Sequence, residues 1–422
     1  MSSTDAVVAD VLPRSANRSM SLPFKLVLLY LLFDFGRPQD GVPVLGALQF
    51  SMISLICLGI QLAKSKVPKF TDRMTKLFVV LLVFMVFHIP FALNNFWAFH
   101  TARSMALTFI GYLGVITFVD SPKIFKNLID VWLAIHTFLA IWGLMHGGTG
   151  IGGWIGDEND LCLALNMVLP YAYFRTFSDD NLAKKILHSG MVVLFLAATM
   201  STFSRGGFLG LVAVGLYCWF RSSRKIISGL VILLFALFAF NFAPEGYWEE
   251  MSTIQKEYSD EMHGTGSDRK YSWDIGWKMF LANPIFGVGQ GNFPWQFSKY
   301  EGESSFDGRS FGGRAAHSLY YTLMPELGLL GVFLFLGLNY YFYKDLAKVR
   351  RIWNEKRKQT DGADARFLIY SACSLEASLI GFLVSGYFIS VLYYPCFWIL
   401  MGFAVALRKV ALFNEDKSLA AH

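Results

Sequence analysis

The chain has 422 residues, of which 54% are hydrophobic and only 16% are charged, and its formal net charge is +6. Soluble domains carry about 25% charged residues, so a soluble protein with this composition could not cover its apolar surface. The same numbers exclude a disordered chain and a disulfide-rich secreted scaffold. The five cysteines form no CxxC pair and lie in apolar stretches, so they indicate neither a zinc site nor a disulfide framework.

Apolar stretches that could cross a bilayer follow one another along almost the whole chain. A spanning helix needs about 20 mostly apolar residues. We predict an all-α polytopic membrane protein with about 12 transmembrane helices, at residues 23–36, 42–62, 77–92, 101–119, 124–146, 160–176, 186–200, 206–220, 226–242, 318–343, 367–387 and 389–407. The first stretch ends at Asp34-Phe35-Gly36-Arg37 rather than at a small-residue cleavage site, so a signal peptide is not expected.

The basic residues predict the orientation. Most of the 37 Lys and Arg fall in loops on one side of the membrane, which by the positive-inside rule is the cytoplasm. We therefore predict a multi-pass protein of the bacterial inner membrane with both termini in the cytoplasm. We expect it to contact membrane lipid and not to bind nucleic acid, because the orientation of the protein in the membrane already explains most of its positive charge. The predicted parts are a cytoplasmic tail (1–22), transmembrane helices 1–9 (23–242), a periplasmic loop (243–316), transmembrane helices 10–12 (317–407) with a basic cytoplasmic loop (344–366), and a cytoplasmic tail (408–422).

The long periplasmic loop contains two amphipathic stretches. In 247–258 and 268–282, apolar residues recur at three- and four-residue spacing, which predicts two helices. Ser267 is the predicted N-cap of the second, and Asn283-Pro284 is expected to end it. Such helices either lie on the outer leaflet or pack onto the spanning bundle.

A first candidate for chemistry is Ser204-Arg205-Gly206-Gly207, at the predicted periplasmic start of a transmembrane helix. Two glycines would leave backbone N–H groups approachable at the positive end of the helix dipole. The guanidinium of Arg205 adds a fork of donors suited to phosphate oxygens. The alternative is that Arg205 only reaches toward lipid headgroups.

A second candidate is Arg314-Ala-Ala-His317, at the mouth of another helix that begins on the periplasmic side. Histidine is a suitable proton acceptor near neutral pH, and a positive helix end would keep it neutral. A capping or core role is the alternative. A third cluster, Asp268-Arg269-Lys270, is either functional or a solvated basic face.

Other polar features are weaker. The acidic run Asp157-Glu158-Asn159-Asp160 could hold a divalent ion, but such residues are also ordinary helix caps, which we favour. Arg103 lies within a predicted span, where a charge is costly. The glycines of 287–291 lack the flanking pattern of a Rossmann motif and the Lys-Ser/Thr of a P-loop.

With these residues in view, the chain resembles the O-antigen ligase-like membrane proteins, which include lipopolysaccharide O-antigen ligases, O-antigen polymerases and protein O-oligosaccharyl ligases. The matching pieces are T-F-S-R-G-G, D-R-K-Y-S-W, N-P-I-F-G-V-G-Q-G-N-F and A-H-S-L-Y-Y-T-L-M-P-E-L-G-L-L-G, with R-P-Q-D near 37 and G-D-E-N-D near 157. The resemblance implies a C-type membrane glycosyltransferase fold and no metal or other cofactor. It places the functional arginines at Arg205 and Arg269 and the functional histidine at His317. Arg314, Arg103, Asp157, Asn159 and Gly206 remain secondary candidates.

The activity that the resemblance implies is an O-antigen ligase. An undecaprenyl-pyrophosphate-linked glycan would be the donor and lipid A–core the acceptor, on the periplasmic side. No carboxylate is marked as a nucleophile, so a single inverting displacement is expected. A polymerase or protein O-oligosaccharyl ligase would use the same donor. A lipid or sugar transporter is the alternative of another class, but transporters usually show repeated halves and midplane charges.

Overall fold

A computed structural model describes residues 20–222, 224–230, 265–301, 312–359 and 362–419. The regular structure of these ranges is helical, apart from one isolated bridge between Gly152 and Ile155. The helices, with our labels, are α1 (Leu22–Leu31, continued by a π-helical turn over Leu32–Gly36), α2 (Pro38–Gly41), α3 (Pro43–Ala47), α4 (Phe50–Lys64), α5 (Arg73–His88), α6 (Asn95–Phe118), α7 (Pro122–Met145), α8 (Glu158–Ser178), α9 (Leu182–Ser201), α10 (Arg205–Arg221), α11 (Thr265–Ala282), α12 (Phe293–Glu301), α13 (Tyr320–Gln359), α14 (Ala363–Ser385) and α15 (Pro395–Leu419).

Eight helical segments in the described part of the chain are long and apolar enough to cross a membrane: Val44–Lys64, Arg73–Phe91, Asn95–Phe118, Pro122–Met145, Leu182–Ser201, Tyr320–Lys358, Ala363–Phe388 and Pro395–Leu412. The expected all-α multi-pass membrane protein is therefore confirmed. The predicted spans 23–36, 160–176 and 206–220 coincide with α1, α8 and α10, which are helical but are not among these eight. Most of the predicted span 226–242 and the whole stretch 247–258 lie outside the described residues.

The centre of the protein is formed by α8 and α14, which pack against each other and are buried along most of their lengths. Helix α10 lies close to both because it presents glycines to them. A Cβ on Gly207 would come within 2.0 Å of Cys162 Sγ, and a Cβ on Gly210 within 2.0 Å of Ser385 Oγ. Small residues allow such close approach between membrane helices. The glycines of α10 therefore allow its close packing against α8 and α14.

Helix α11 of the predicted periplasmic loop packs onto the protein. Ile275 and Met279 are fully buried in a small core with Phe293 and Phe297 of α12, whereas Trp277 is exposed. Of the two alternatives, packing against the bundle is therefore the one observed. The helix ends at Ala282, as Asn283-Pro284 predicted. The N-cap prediction was wrong, because the helix already includes Thr265 and Ser267 lies within its first turn. Helix α12 was not predicted.

Helix α13 is interrupted near its start and continues far beyond the predicted span. Gly328 has φ 59° and ψ −163°, and a Cβ there would lie 2.5 Å from the carbonyl oxygen of Ile285. Glycine tolerates this left-handed φ and leaves room for the loop that precedes α12. Beyond the break, α13 remains helical to Gln359, so most of the basic segment 344–366 is helix rather than irregular loop.

Candidate active site

The Ser204 turn joins the starts of two helices. Phe203 adopts a left-handed φ of 52°, and Ser204 then caps α10 by accepting the N–H of Gly207 at 3.0 Å. The Ser204 hydroxyl also donates to Asn159 Oδ1 at 2.7 Å. Asn159 lies in the first turn of α8, whose N-cap Asp157 accepts the N–H of Asp160 at 2.8 Å. Two of the secondary candidates, Asp157 and Asn159, thus lie beside the turn that carries Arg205.

Arg205 is the first residue of α10, one residue before the predicted start of the span at 206, but the structure gives the neighbouring glycines another role. A Cβ on Gly206 would come within 2.8 Å of Phe388, and Gly207 is held against Cys162. The N–H of Gly207 is already used by the Ser204 cap. Packing therefore explains both glycines, and the expectation that they open the helix end to an anion is wrong for Gly207.

His317 lies in the segment that leads into α13. It is exposed and has a left-handed φ of 48°, which is uncommon for a residue with a Cβ. Both flanks are fixed: the carbonyl of Ala316 accepts the indole N–H of Trp273 at 3.0 Å, and the N–H of Leu319 donates to Gly386 O at 2.7 Å. Backbone strain of this kind persists only where the surroundings determine it.

The charges around His317 favour its neutral form. Although the side chain of His317 is exposed, the surrounding protein still desolvates its ring, which lowers its pKa below the ordinary 6.5. The positive charges of Arg269 and Arg314 lower the pKa further, and the negative charge of Asp157 opposes them. Arg314 also pairs with Asp268 of α11, with Nη1 and Oδ2 3.0 Å apart. An imidazole with a lowered pKa is unprotonated at neutral pH and can accept a proton.

Most of the predicted site residues are brought together by the fold. Arg269, Arg314 and Asp157 lie close enough to His317 for their charges to act on it. The turn of Arg205 is linked to the same region through Asn159, and through Phe388, which follows closely on Gly386, the partner of Leu319. Arg103 is exposed on α6, and none of the hydrogen bonds or ion pairs of the described residues joins it to this cluster.

Aromatic side chains anchor α11 beside His317. The Trp273 ring stacks on Tyr321 with centroids 5.0 Å apart and planes at 1°, and it meets Tyr387 edge-on at 5.1 Å. Tyr321 belongs to α13 and Tyr387 to the turn that follows α14. The helix that carries Arg269 is therefore held against the two segments that position His317.

One buried carboxylate was missed by the sequence interpretation. Glu326 is 2% exposed; its Oε1 accepts the N–H of Phe293 at 2.9 Å, and its Oε2 accepts the N–H of Gly291 and the hydroxyl of Tyr393, both at 2.7 Å. Glu326 belongs to the M-P-E-L-G motif, and the backbone N–H groups that donate to its carboxylate belong to Gly291 and Phe293 of G-V-G-Q-G-N-F. The two motifs therefore contact each other. This pairing is a long-range contact, so it is seen only in the folded structure.

The acidic residues near 157 act mainly as structural groups. Asp157 caps α8, and Asp160 Oδ2 accepts the hydroxyl of Tyr394 at 3.3 Å. Within the described ranges, no group of three or more His, Cys, Asp or Glu side chains could hold a metal ion. Metal independence stays a prediction.

Comparison with known proteins addresses the family directly. Residues 190–336 match the family model described as O-Antigen ligase. The predicted family is confirmed over these residues. The matched segment contains Arg205, Gly206, Arg269, Arg314 and His317, but not Arg103, Asp157 or Asn159. Members of this O-antigen ligase family are glycosyltransferase-like ligases and polymerases, which in general use a lipid-linked glycan donor and a lipid-anchored acceptor. No curated protein matches the chain.

Proposed function

We propose that this protein is an O-antigen ligase that transfers an oligosaccharide or polysaccharide from undecaprenyl pyrophosphate to a sugar hydroxyl of lipid A–core. The observation that carries the proposal is the placement of His317, an imidazole kept neutral beside Arg269 and Arg314, within the segment that matches the O-antigen ligase family. A proton acceptor next to fixed positive charge suits a reaction in which a hydroxyl attacks and a pyrophosphate leaves.

In the proposed reaction, His317 takes the proton of the acceptor hydroxyl while the hydroxyl oxygen forms its bond to the anomeric carbon. The bond from that carbon to the pyrophosphate oxygen breaks, and the electron pair leaves with undecaprenyl pyrophosphate. Arg205 and Arg269 stabilise the negative charge that develops on the leaving group, a contribution that is usually large. A single displacement of this kind inverts the anomeric configuration.

The positions of the helix ends support a single reaction face. Arg205, Asp157 and His317 each stand where a helix begins, and the helices α8, α10 and α13 start at the same end of the bundle. We place this end in the periplasm and both termini in the cytoplasm of a bacterial inner membrane. With α1, α8, α10 and the segment from 226 counted as spans, the protein would have about 12 transmembrane helices in a C-type glycosyltransferase fold.

An in vitro transfer assay tests the proposal. The purified full-length chain is mixed with an undecaprenyl-pyrophosphate-linked glycan and with lipid A–core, and the product is followed by gel shift and NMR. We expect transfer to lipid A–core, release of undecaprenyl pyrophosphate and inversion at the new linkage. Retention of configuration would contradict the single displacement, and absence of transfer to every acceptor would contradict the enzymatic function.

The acceptor distinguishes the related activities. An O-antigen polymerase would extend a second lipid-linked glycan, and a protein O-oligosaccharyl ligase would modify a protein, so both acceptors belong in the same assay. A transporter would move the lipid-linked glycan without forming a glycosidic bond. The clustering of Arg269, Arg314 and His317 at one end of the bundle favours an enzyme, because transporter sites usually lie near the bilayer midplane.

A further inference from the structure

A basic pocket lies at the end of the bundle opposite His317. It has a volume of about 570 Å³ and is lined by Arg73, Lys344, Lys348, Arg351 and Arg408 together with Asp345. Lys344 follows the break at Gly328 by 16 residues of α13, which at 1.5 Å per residue places it about 24 Å from the break, on the side away from His317. The pocket is therefore separate from the proposed active site.

Positive charge in this pocket exceeds negative charge. Arg408 is held by two carboxylates, Asp72 and Asp345, the latter with Nη1 and Oδ2 3.1 Å apart. Lys348 and Arg351 form no hydrogen bond or ion pair through their side chains with any residue that the structure describes. Like charges brought together in this way repel each other unless an anion binds between them.

The remaining two cations, Arg73 and Lys344, contact tyrosine side chains. The guanidinium of Arg73 lies 5.3 Å from the centroid of Tyr341, and Lys344 Nζ lies 3.4 Å from the hydroxyl of Tyr340. Arg73 is the first residue of α5, and Arg408 lies near the end of the apolar segment Pro395–Leu412. The pocket thus occupies the boundary where three membrane-spanning helices leave their apolar parts.

An exposed apolar stripe leads along α13 to the pocket. Phe333, Leu336 and Tyr340 are 66%, 56% and 59% exposed. They recur at three- and four-residue spacing, and Lys344 and Arg351 continue the same face. Hydrocarbon chains lying on this stripe would bring an attached headgroup directly to the cationic side chains.

We propose that this pocket binds the phosphate headgroup of an anionic phospholipid, with its acyl chains on the stripe of Phe333, Leu336 and Tyr340. Arginine forks and lysine ammonium groups are the usual ligands of phosphate oxygens, and basic pockets between transmembrane helices suit anionic headgroups. A free phosphate would satisfy the cations but would leave the stripe unused. The bound lipid joins α5, α13 and α15 at the end of the bundle away from the active site.

Lipid binding to the purified full-length protein in a neutral detergent tests this inference, with native mass spectrometry as the readout. Dioleoyl phosphatidylglycerol and dioleoyl phosphatidylethanolamine are added at equal concentrations, and glycerol 1-phosphate serves as the probe without tails. We expect the protein to retain phosphatidylglycerol preferentially. The double variant Lys348→Gln/Arg351→Gln should weaken this binding by about 10- to 30-fold, since each cation near a charged headgroup contributes on the order of a factor of five.

The double variant Lys184→Gln/Lys185→Gln is the matched control. It removes the same charge near the start of α9, from side chains that also form no ion pair with the described residues, and it should bind phosphatidylglycerol like the wild type. Circular dichroism checks that both variants keep their helices. Equal retention of the two lipids, equal binding by both double variants, or competition by glycerol 1-phosphate at the lipid's own concentration would each overturn the proposal. None of these results depends on glycan transfer.

Discussion

The hydroxyl of Ser204 donates a hydrogen bond to Oδ1 of Asn159 over 2.7 Å, across 45 residues of sequence. The same hydroxyl accepts the N–H of Gly207, so one side chain caps α10 and ties it to the first turn of α8. Arg205 follows Ser204 directly, and Asp157, which acts on the charge of His317, lies two residues before Asn159. This bond therefore sets the position of the proposed pyrophosphate-binding arginine relative to the proposed base.

Replacement of His317 tests the general base. Removing a general base typically costs 10²- to 10⁴-fold in rate, or about 3–5 kcal/mol of barrier. We expect His317→Ala to lose transfer by about this factor while the protein still binds the lipid-linked donor, because the pyrophosphate is held by the arginines. His317→Gln keeps hydrogen bonding without basicity, so near-normal transfer by this variant would remove His317 from the role.

The pH dependence of transfer should report the charges around His317. Its pKa is lowered, so the neutral base is present above that pKa and is lost as the pH falls through it; the acidic limb should lie below about pH 6.5. Arg314→Gln removes a positive neighbour and should move the limb to higher pH. Asp157→Asn keeps the helix cap but removes a negative charge, so it should move the limb lower. A limb that does not respond to either change belongs to another group.

Substitutions of Arg205 and Arg269 test whether their side chains bind the leaving pyrophosphate, and a lysine variant separates the geometry of the guanidinium from its charge. Arg205→Lys keeps the charge but loses the two-pronged donor, so we expect transfer to fall substantially, and Arg205→Ala and Arg269→Ala should lose about 10²- to 10³-fold. Arg103→Ala is the comparison, because no hydrogen bond or ion pair among the described residues joins Arg103 to the cluster. Wild-type rates in all Arg205 and Arg269 variants at equal expression would leave Arg205 as a headgroup contact only.

Glu326 should be needed for the position of the loop before α12. A glutamine has one acceptor oxygen, and its NH₂ group would face a backbone N–H that the carboxylate now accepts. Hydrogen bonds to charged groups are worth about 1.5–3 kcal/mol, so Glu326→Gln should lower the thermal unfolding temperature and open the 283–293 loop to protease. Glu355→Gln on the same helix removes an exposed ion pair and should change neither quantity.

Metal removal gives a simple further test. If Asp157 and Asp160 act as helix cap and hydrogen-bond acceptor, EDTA should leave the transfer rate unchanged. Loss of transfer with EDTA and its restoration by one divalent ion would overturn the prediction that the enzyme is metal-independent.

The sequence predicted those parts of the fold that depend on local patterns. Apolar runs located the eight helices that are long and apolar enough to cross a membrane, and Asn283-Pro284 located the end of α11, because both signals act within a few residues. Their positions at helix starts marked Arg205 and His317 as candidates, and the family resemblance assigned functional roles to them and to Arg269. The structure adds that the charge of Arg269 acts on His317.

The rest of the site depends on contacts between distant segments. Glu326 and Gly291 are 35 residues apart, and Ser204 and Asn159 are 45 apart, so neither pairing leaves a periodic signal. Gly206 and Gly207 read as an open helix end in the sequence because the side chains that face them, from Phe388 and Cys162, come from other helices or turns.

The length of α13 between Gly328 and Lys344 has a consequence for natural variation. Each residue of a helix turns its face by about 100°. Deleting one residue here would leave in place the hydrogen bonds between Glu326 and the loop before α12, but it would rotate Lys344 and Arg351 away from Arg73 and Arg408. Insertions and deletions in this stretch should therefore be tolerated only when they restore the same helix face, as about seven residues, or two turns, would do. A change of one residue should instead turn the basic pocket out of register with the part of α13 that holds Glu326.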